Sequence, residues 1–280
     1  LSLILTIVAG LVHFYHRSGY TVVMLNSTLI ARIEVTSELL ILRVKPDAGV
    51  PEFKPGQYVA LGLPGEAARH PGAAPEVEAP PADKLIKRAY SIGSSPTQRE
   101  FLEFYIAVVP DGSLTTRLAA LKEGDRLFAQ PKVTGTFTLE GLPDDRNLVL
   151  VSTGTGLAPF MSMIRTGEVW TANRKITVVH GVRYPSDFAY ADELLSYQQS
   201  GKGLLYLPIA SRAGEEFTGR KGRIQKLFEE QVVIPNPDRD SVFLCGNPAM
   251  IEDLERYLME RGFVLHSKKV AGNLHVEKYW

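Results

Sequence analysis

Leu148-Val149-Leu150-Val151 runs without a polar residue into Ser152-Thr153-Gly154-Thr155-Gly156-Leu157-Ala158-Pro159. A short continuous apolar run reads as a strand buried on both faces. Glycines after it let the backbone approach a ligand closely, and Pro159 fits the first turn of a helix, where a missing N–H costs nothing. The free N–H groups of a helix start attract negative charge, so this strand, turn and helix form the context that a diphosphate loop requires. The spacing downstream predicts a helix over 159–169, strand 175–182, helix 190–199, strand 204–210, helix 223–231, strand 241–245 and helix 248–261. Residues 263–270 are a candidate final strand. Such alternation predicts a parallel sheet with helices on both faces, and ligands of these sheets sit at the carboxyl ends of the strands.

Those ends carry informative residues. Arg183 follows one strand, Ser211-Arg212 follow the next, and Arg220-Lys221-Gly222-Arg223 come soon after. Guanidinium forks suit a phosphate monoester such as the 2′-phosphate that separates NADPH from NADH; a solvated basic loop is the plain alternative. Arg183 is placed to help with a diphosphate. Cys245-Gly246-Asn247-Pro248 ends the last strand of this run and opens a helix. A thiol there can pack against a nicotinamide ring, although a lone cysteine is usually a core residue.

The upstream half reads differently. Strands are expected over 27–36, 39–45, 57–63, 87–93, 101–108, 125–131 and 134–139, with one helix over 114–121. This pattern predicts a closed antiparallel β-barrel. Arg88-Ala89-Tyr90-Ser91 lies on one of these strands. The residue types fit a flavin dinucleotide: Arg88 can fork onto a diphosphate, Tyr90 shares its side of the strand and can lie on an isoalloxazine ring, and Ser91 offers a small hydroxyl near the reactive nitrogen. Gly112-Ser113-Leu114-Thr115 opens the helix and provides N–H groups and hydroxyls as a second diphosphate contact, or is simply a helix start. Residues 64–83 hold Pro64-Gly65, Pro71-Gly72 and Pro80-Pro81 without apolar periodicity, and are expected to form a mobile surface insertion.

The length of 280 residues suits two domains, expected over 24–142 and 143–280, with 1–23 as an extra segment. With 31 basic and 31 acidic residues the formal net charge is zero, which argues against nucleic acid as the main partner. Cys245 is the single cysteine, so no disulfide framework, cysteine zinc site or iron–sulfur cluster is expected, nor any other metal site. One thiol is consistent with a reducing cytoplasm. Leu1 to Val12 is apolar but too short to span a bilayer, so stable membrane insertion is not expected. Met24 reads as the natural start; a membrane-surface anchor over 1–23 is the alternative. The closing Glu277-Lys278-Tyr279-Trp280 places two aromatics where chains usually fray, as if retained to cover a cofactor face or a groove of the protein.

Together these segments resemble the ferredoxin–NADP⁺ reductase family, in particular its bacterial single-subunit ferredoxin/flavodoxin reductases. The resemblance covers the chain from about Met24 to Trp280. It rests on Arg88-Ala89-Tyr90-Ser91, Pro110-Asp111-Gly112-Ser113-Leu114, Gly154-Thr155-Gly156, Cys245-Gly246-Asn247-Pro248 and Tyr279-Trp280. It implies that Arg88, Ala89, Tyr90, Ser91, Gly112, Ser113, Leu114, Thr115 and Thr155 hold FAD. Tyr279 would then cover the second face of the ring, with Trp280 toward the adenine. NADP(H) would meet Gly154, Gly156, Arg183, Ser211, Arg212, Arg220, Arg223, Gly246 and Asn247. Ser91, Cys245, Glu277 and Tyr279 would line the hydride-transfer site. The implied protein is a cytoplasmic monomer passing electrons between NADP(H) and ferredoxin or flavodoxin. Two Gly-Arg pairs, Gly219-Arg220 and Gly222-Arg223, leave open which arginine takes the 2′-phosphate. The segments 1–23 and 64–83 are atypical. Other readings are a flavin-barrel protein without pyridine nucleotide, of the siderophore-interacting type, and a reductase module for a membrane or oxygenase partner.

Overall fold

The computed structural model describes residues 6–8, 11–16, 19–171 and 174–278, with side chains from Leu25 onward except that of Glu168. The chain divides into two compact units, Leu1–Gly135 and Thr136–Trp280. Within the segment read as extra, β1 (Thr6–Val8), β2 (Leu11–His16) and β3 (Gly19–Met24) pair antiparallel in a small sheet of their own. Among the described residues no helix is long and apolar enough to cross a membrane.

The first unit continues with β4 (Ser27–Thr36), β5 (Leu39–Pro46), β6 (Tyr58–Pro64), β7 (Leu85–Ser91), β8 (Leu102–Ala107), α1 (Thr115–Ala120) and β9 (Arg126–Ala129). The six strands from β4 onward form an antiparallel sheet in the order β7-β6-β9-β4-β5-β8. The sheet curls around a core that includes Leu29, Leu42, Leu61 and Phe104, which Leu118 of α1 closes. The strand expected over 134–139 does not form. Thr134 makes an isolated bridge to Tyr58, Gly135 turns the chain at a φ of 116°, and Phe137 is buried in the core of the second unit. The units therefore divide at Gly135, seven residues before the boundary drawn from the sequence after Leu142.

The second unit contains β10 (Asn147–Thr153), α2 (Ala158–Ile164), β11 (Ile176–Val182), α3 (Ala191–Gln199), β12 (Leu204–Ala210), β13 (Arg220–Lys221), α4 (Gln225–Glu229), β14 (Asp240–Gly246), α5 (Pro248–Met259) and β15 (Leu274–Lys278). Its sheet is parallel throughout, in the order β13-β12-β11-β10-β14-β15. Alternation along β10 explains the two layers. Val149 and Val151 join one core with Ile224, Leu227 and Leu254 from α4 and its neighbourhood and from α5, while Leu148 and Leu150 join another with Phe160 of α2 and Leu194 of α3. The final strand is β15, not 263–270. Phe263 is buried in the core, and Val264 donates its N–H to Asn273 Oδ1 at 2.8 Å, folding this stretch back into a loop. From β10 the chain steps outward to β13 and then returns to β14, which puts the switch point between β10 and β14.

Candidate active site

In the first unit, β7 is an end strand of the sheet. Register places Arg88 and Tyr90 on one face, opposite Leu61 and Val59 of β6, and Ala89 and Ser91 on the other. Arg88 is exposed; its Nη1 donates to the Lys87 carbonyl at 2.8 Å, and no carboxylate pairs with it among the described residues. Tyr90 is half-buried against the barrel core, and that burial raises its phenol pKa while the Arg88 charge opposes the rise. Ser91 is buried at the start of a run that is pinned to β8. Gly93 N donates to Glu103 O at 2.7 Å, Glu103 N donates to Ser94 Oγ at 3.1 Å, and buried Glu103 accepts Arg43 Nε at 2.9 Å. Nothing in the sequence singled out Glu103, since its ion pair crosses between strands.

The turn before α1 is tight. Gly112 N donates to Val109 O at 2.8 Å, and a Cβ on Gly112 would stand 2.3 Å from Thr115 Oγ1. Thr115 Oγ1 is engaged with both N and O of Val109. Leu114 is a core side chain, 2% exposed, so only its backbone can face a ligand. Ser113 Oγ donates to Glu76 at 3.3 Å, and Arg117 donates to both Glu76 oxygens at 2.7 and 3.0 Å. The loop 64–83, expected to be mobile, is thus fastened to this turn. Arg117 holds the Glu76 carboxyl below the usual carboxylate range, and burial opposes that effect.

The second unit brings its glycine turns together at the switch point. Gly154 has a φ of 51°, and a Cβ on Gly156 would lie 2.5 Å from the Cys245 carbonyl oxygen. Gly246 has a φ of 130°, and its Cβ would strike Thr153 Oγ1 at 2.2 Å. That hydroxyl oxygen accepts Asn247 N at 2.8 Å, so the ends of β10 and β14 are joined. Thr153 was not among the expected site residues. Gly154–Leu157 form a 3₁₀ turn before α2, with Thr155 buried. Asn247 accepts Ala249 N and Met250 N at 3.0 and 3.2 Å, which commits its side-chain oxygen to capping α5. Cys245 is fully buried in the core beside Phe243, and register sets Glu277 of β15 opposite it.

The expected arginines gather at the carboxyl ends of the next strands. Arg212 N donates to Arg183 O at 2.7 Å, and Ser211 Oγ donates to Val182 O at 3.2 Å. Arg220 lies opposite Ile209, and Gly222, at a φ of 127°, turns the chain toward Arg223. Arg183, Arg212, Arg220 and Arg223 are all exposed, and among the described residues none pairs with a carboxylate. His180, at the same end of β11, is buried with Nδ1 3.3 Å from the Tyr206 hydroxyl; burial lowers its pKa to about 4 and keeps it neutral. Tyr279 and Trp280 lie outside the described residues.

Residues 26–135 match the model of an oxidoreductase FAD-binding domain, and residues 150–256 that of an oxidoreductase NAD-binding domain. A ferredoxin–NADP reductase of Pseudomonas aeruginosa is 39% identical over 218 residues, covering 74% of this chain and 78% of that protein. The chain belongs to the ferredoxin–NADP reductase family. A flavodoxin/ferredoxin–NADP reductase of Escherichia coli is 31% identical over 240 residues, 83% of this chain and 90% of the relative. A crystal structure of a ferredoxin NADP⁺ reductase from Neisseria gonorrhoeae, with bound FAD and NADP, shares the fold. Its TM-score is 0.75 at 24% identity, over 90% of this chain and 97% of that one. In this reductase the Arg88–Ser91 and Gly112–Thr115 segments both fall inside the FAD-binding match. The glycine turn, the arginines and Cys245–Asn247 fall inside the NAD-binding match.

Proposed function

We propose that this reductase carries electrons between NADP(H) and a one-electron carrier, ferredoxin or flavodoxin, through bound FAD. The 39% identity to a ferredoxin–NADP reductase, spread over both domain matches, carries this reading. FAD, when bound, accepts a hydride and releases electrons singly; the protein contributes binding, orientation and electrostatics. The residues fit that group. Arg88 keeps guanidinium N–H groups uncommitted for a diphosphate, and half-buried Tyr90 offers a ring face on the same side of β7. The backbone N–H groups that follow Gly112, at Ser113–Thr115, serve as a second contact, while the Ser113 hydroxyl is spent on Glu76. On the nucleotide side, Gly156 packs the turn against Cys245, open space beside Gly154 leaves that turn accessible to the coenzyme, and Arg183, Arg212, Arg220 and Arg223 supply cations that pair with no carboxylate among the described residues. Ser91 and Glu277 orient the reacting rings, while Cys245 acts by packing because its thiol is buried. The protein works as a monomer in the cytoplasm, a reducing compartment with which its one free, buried cysteine is consistent.

Stopped-flow mixing of FAD-loaded protein with NADPH tests the proposal. Flavin bleaching followed by reduction of added ferredoxin or flavodoxin is the expected result. Bound FAD that NADPH leaves oxidised would overturn it in favour of a flavin protein without pyridine nucleotide.

A further inference from the structure

Arg117 is 2% exposed, and a guanidinium removed from water needs an anion and acceptors around it. The loop 64–83 supplies both. Beyond the bidentate Glu76 pair, Arg117 Nη2 donates to Gly65 O at 2.6 Å and Nη1 to Ser113 O at 2.7 Å. Arg69 flanks the same carboxylate at 3.8 Å while its Nε donates to Thr116 Oγ1 at 3.2 Å and its Nη1 to Ala74 O at 2.7 Å. His70 N donates to Thr116 O and Ala74 N to Pro110 O, both at 2.8 Å. The loop therefore grips the chain on both sides of Gly112–Thr115. Its root is closed by Gly65 N on Lys84 O, at a position where a Cβ would stand 2.3 Å from Pro81 O.

The cluster sets two guanidinium groups against one carboxylate, and Arg117 Nε and Arg69 Nη2 are buried without a hydrogen-bond partner among the described residues. Positive charge is left over beside a turn held rigid from both ends. We propose that the loop 64–83 is a clamp, with Glu76 and Arg69 as positioning residues, that presets the Gly112–Thr115 turn for the diphosphate-bearing half of FAD. The inference rests on the reading of that turn as a flavin contact. Because Tyr90 and Ser91 address the ring separately, the clamp governs affinity for FAD and leaves affinity for the bare isoalloxazine alone.

Two variants test this by flavin fluorescence titration and thermal melting of the cofactor-free protein. Glu76→Gln keeps the side-chain shape and removes the anion. Glu76→Gln/Arg117→Met also removes the cation that would be left unpaired, so the melting temperature should return toward wild type. A charge-assisted pair is worth about a tenfold change or more, so both variants should bind FAD at least about tenfold more weakly. Riboflavin affinity should stay within about twofold. FAD affinity that recovers along with melting temperature in the double variant would reduce the clamp to a stability element and overturn the proposal. Equal weakening of FAD and riboflavin would overturn it too. Wild-type protein that binds riboflavin but gains nothing from the diphosphate half would sink the reading of the turn itself, and the clamp with it.

Discussion

Two groups of arginines in this reductase stand in opposite electrostatic states. In the barrel unit, Arg117 is buried and already holds an anion of its own chain, Glu76. In the nucleotide unit, Arg183, Arg212, Arg220 and Arg223 are exposed and meet no carboxylate among the described residues. A guanidinium buried with its partner organises structure, because removing either member leaves a charge out of water. Exposed and unmatched guanidiniums cost little to keep and are free to meet phosphate. The same residue type is thus architecture in one unit and recognition in the other, and substitution should separate the two.

Acidification probes the contrast on the largest scale. His180 and His275 of the nucleotide unit are buried, and burial lowers both to about 4, with His266 adding to the effect on His275. Their unfolded value is near 6.5, so below it the unfolded chain takes up protons that the folded unit refuses. Stability is present in full above pH 6.5 and is lost as pH falls toward 4, by roughly 2–3 kcal/mol per histidine. Glu76 in the barrel unit is also held low, but by its pairing with Arg117 rather than by burial, so its contribution is lost only as pH falls below the ordinary carboxylate value of 4.5. Hydrogen exchange followed by mass spectrometry should show the nucleotide unit opening first near pH 5. Simultaneous loss of protection in both units would break the contrast. At neutral pH, Glu76→Ala should destabilise the barrel unit by about 3 kcal/mol in urea unfolding, because it strands buried Arg117. Arg223→Ala should change stability by less than about 0.5 kcal/mol.

The sequence disclosed the nucleotide unit more fully than the barrel. Gly156 and Gly246 were legible because close approach of neighbouring chain leaves no room for a Cβ there, Gly154 because its φ of 51° lies in the left-handed region, and the β10 run before the first turn is apolar on both faces. Leu114 was read as a ligand contact because it sits inside a motif, yet its side chain belongs to the core. Residues 134–139 alternate like a strand, but Gly135 reverses the chain and Phe137 packs into the second unit. Leu274-His275-Val276 shows too little pattern to announce β15, since its histidine is buried by stacking on Phe243 at 4.2 Å. The role of Glu76 was out of reach: its partner lies 41 residues away, and nothing local in a loop rich in proline and alanine points to it.

Coenzyme choice sharpens the recognition side. A charge-assisted hydrogen bond is worth about 1.5–3 kcal/mol, so Arg223→Ala should raise KM for NADPH roughly tenfold to a hundredfold and leave KM for NADH nearly unchanged. Steady-state kinetics with both coenzymes give the answer. If the loss appears instead in Arg220→Ala, the first of the two Gly-Arg pairs holds the 2′-phosphate. Equal losses with both coenzymes would show that neither arginine discriminates.

The smallest effect belongs to Asn247, where architecture and recognition meet in one residue. Its side-chain oxygen is committed to two N–H groups at the start of α5, and its own N–H to Thr153. Removing a cap of this kind costs about 1 kcal/mol, so Asn247→Ala should lower stability by that amount and disturb the joined ends of β10 and β14. Asn247→Ser keeps a capping oxygen but has no carboxamide nitrogen. If the residue serves the nucleotide only through the shape of the turn, serine should restore both urea stability and KM for NADPH. A serine variant with wild-type stability but a raised KM would instead assign the carboxamide nitrogen a direct contact with coenzyme. Asn247 would then belong with the four unmatched arginines rather than with Glu76 and Arg117.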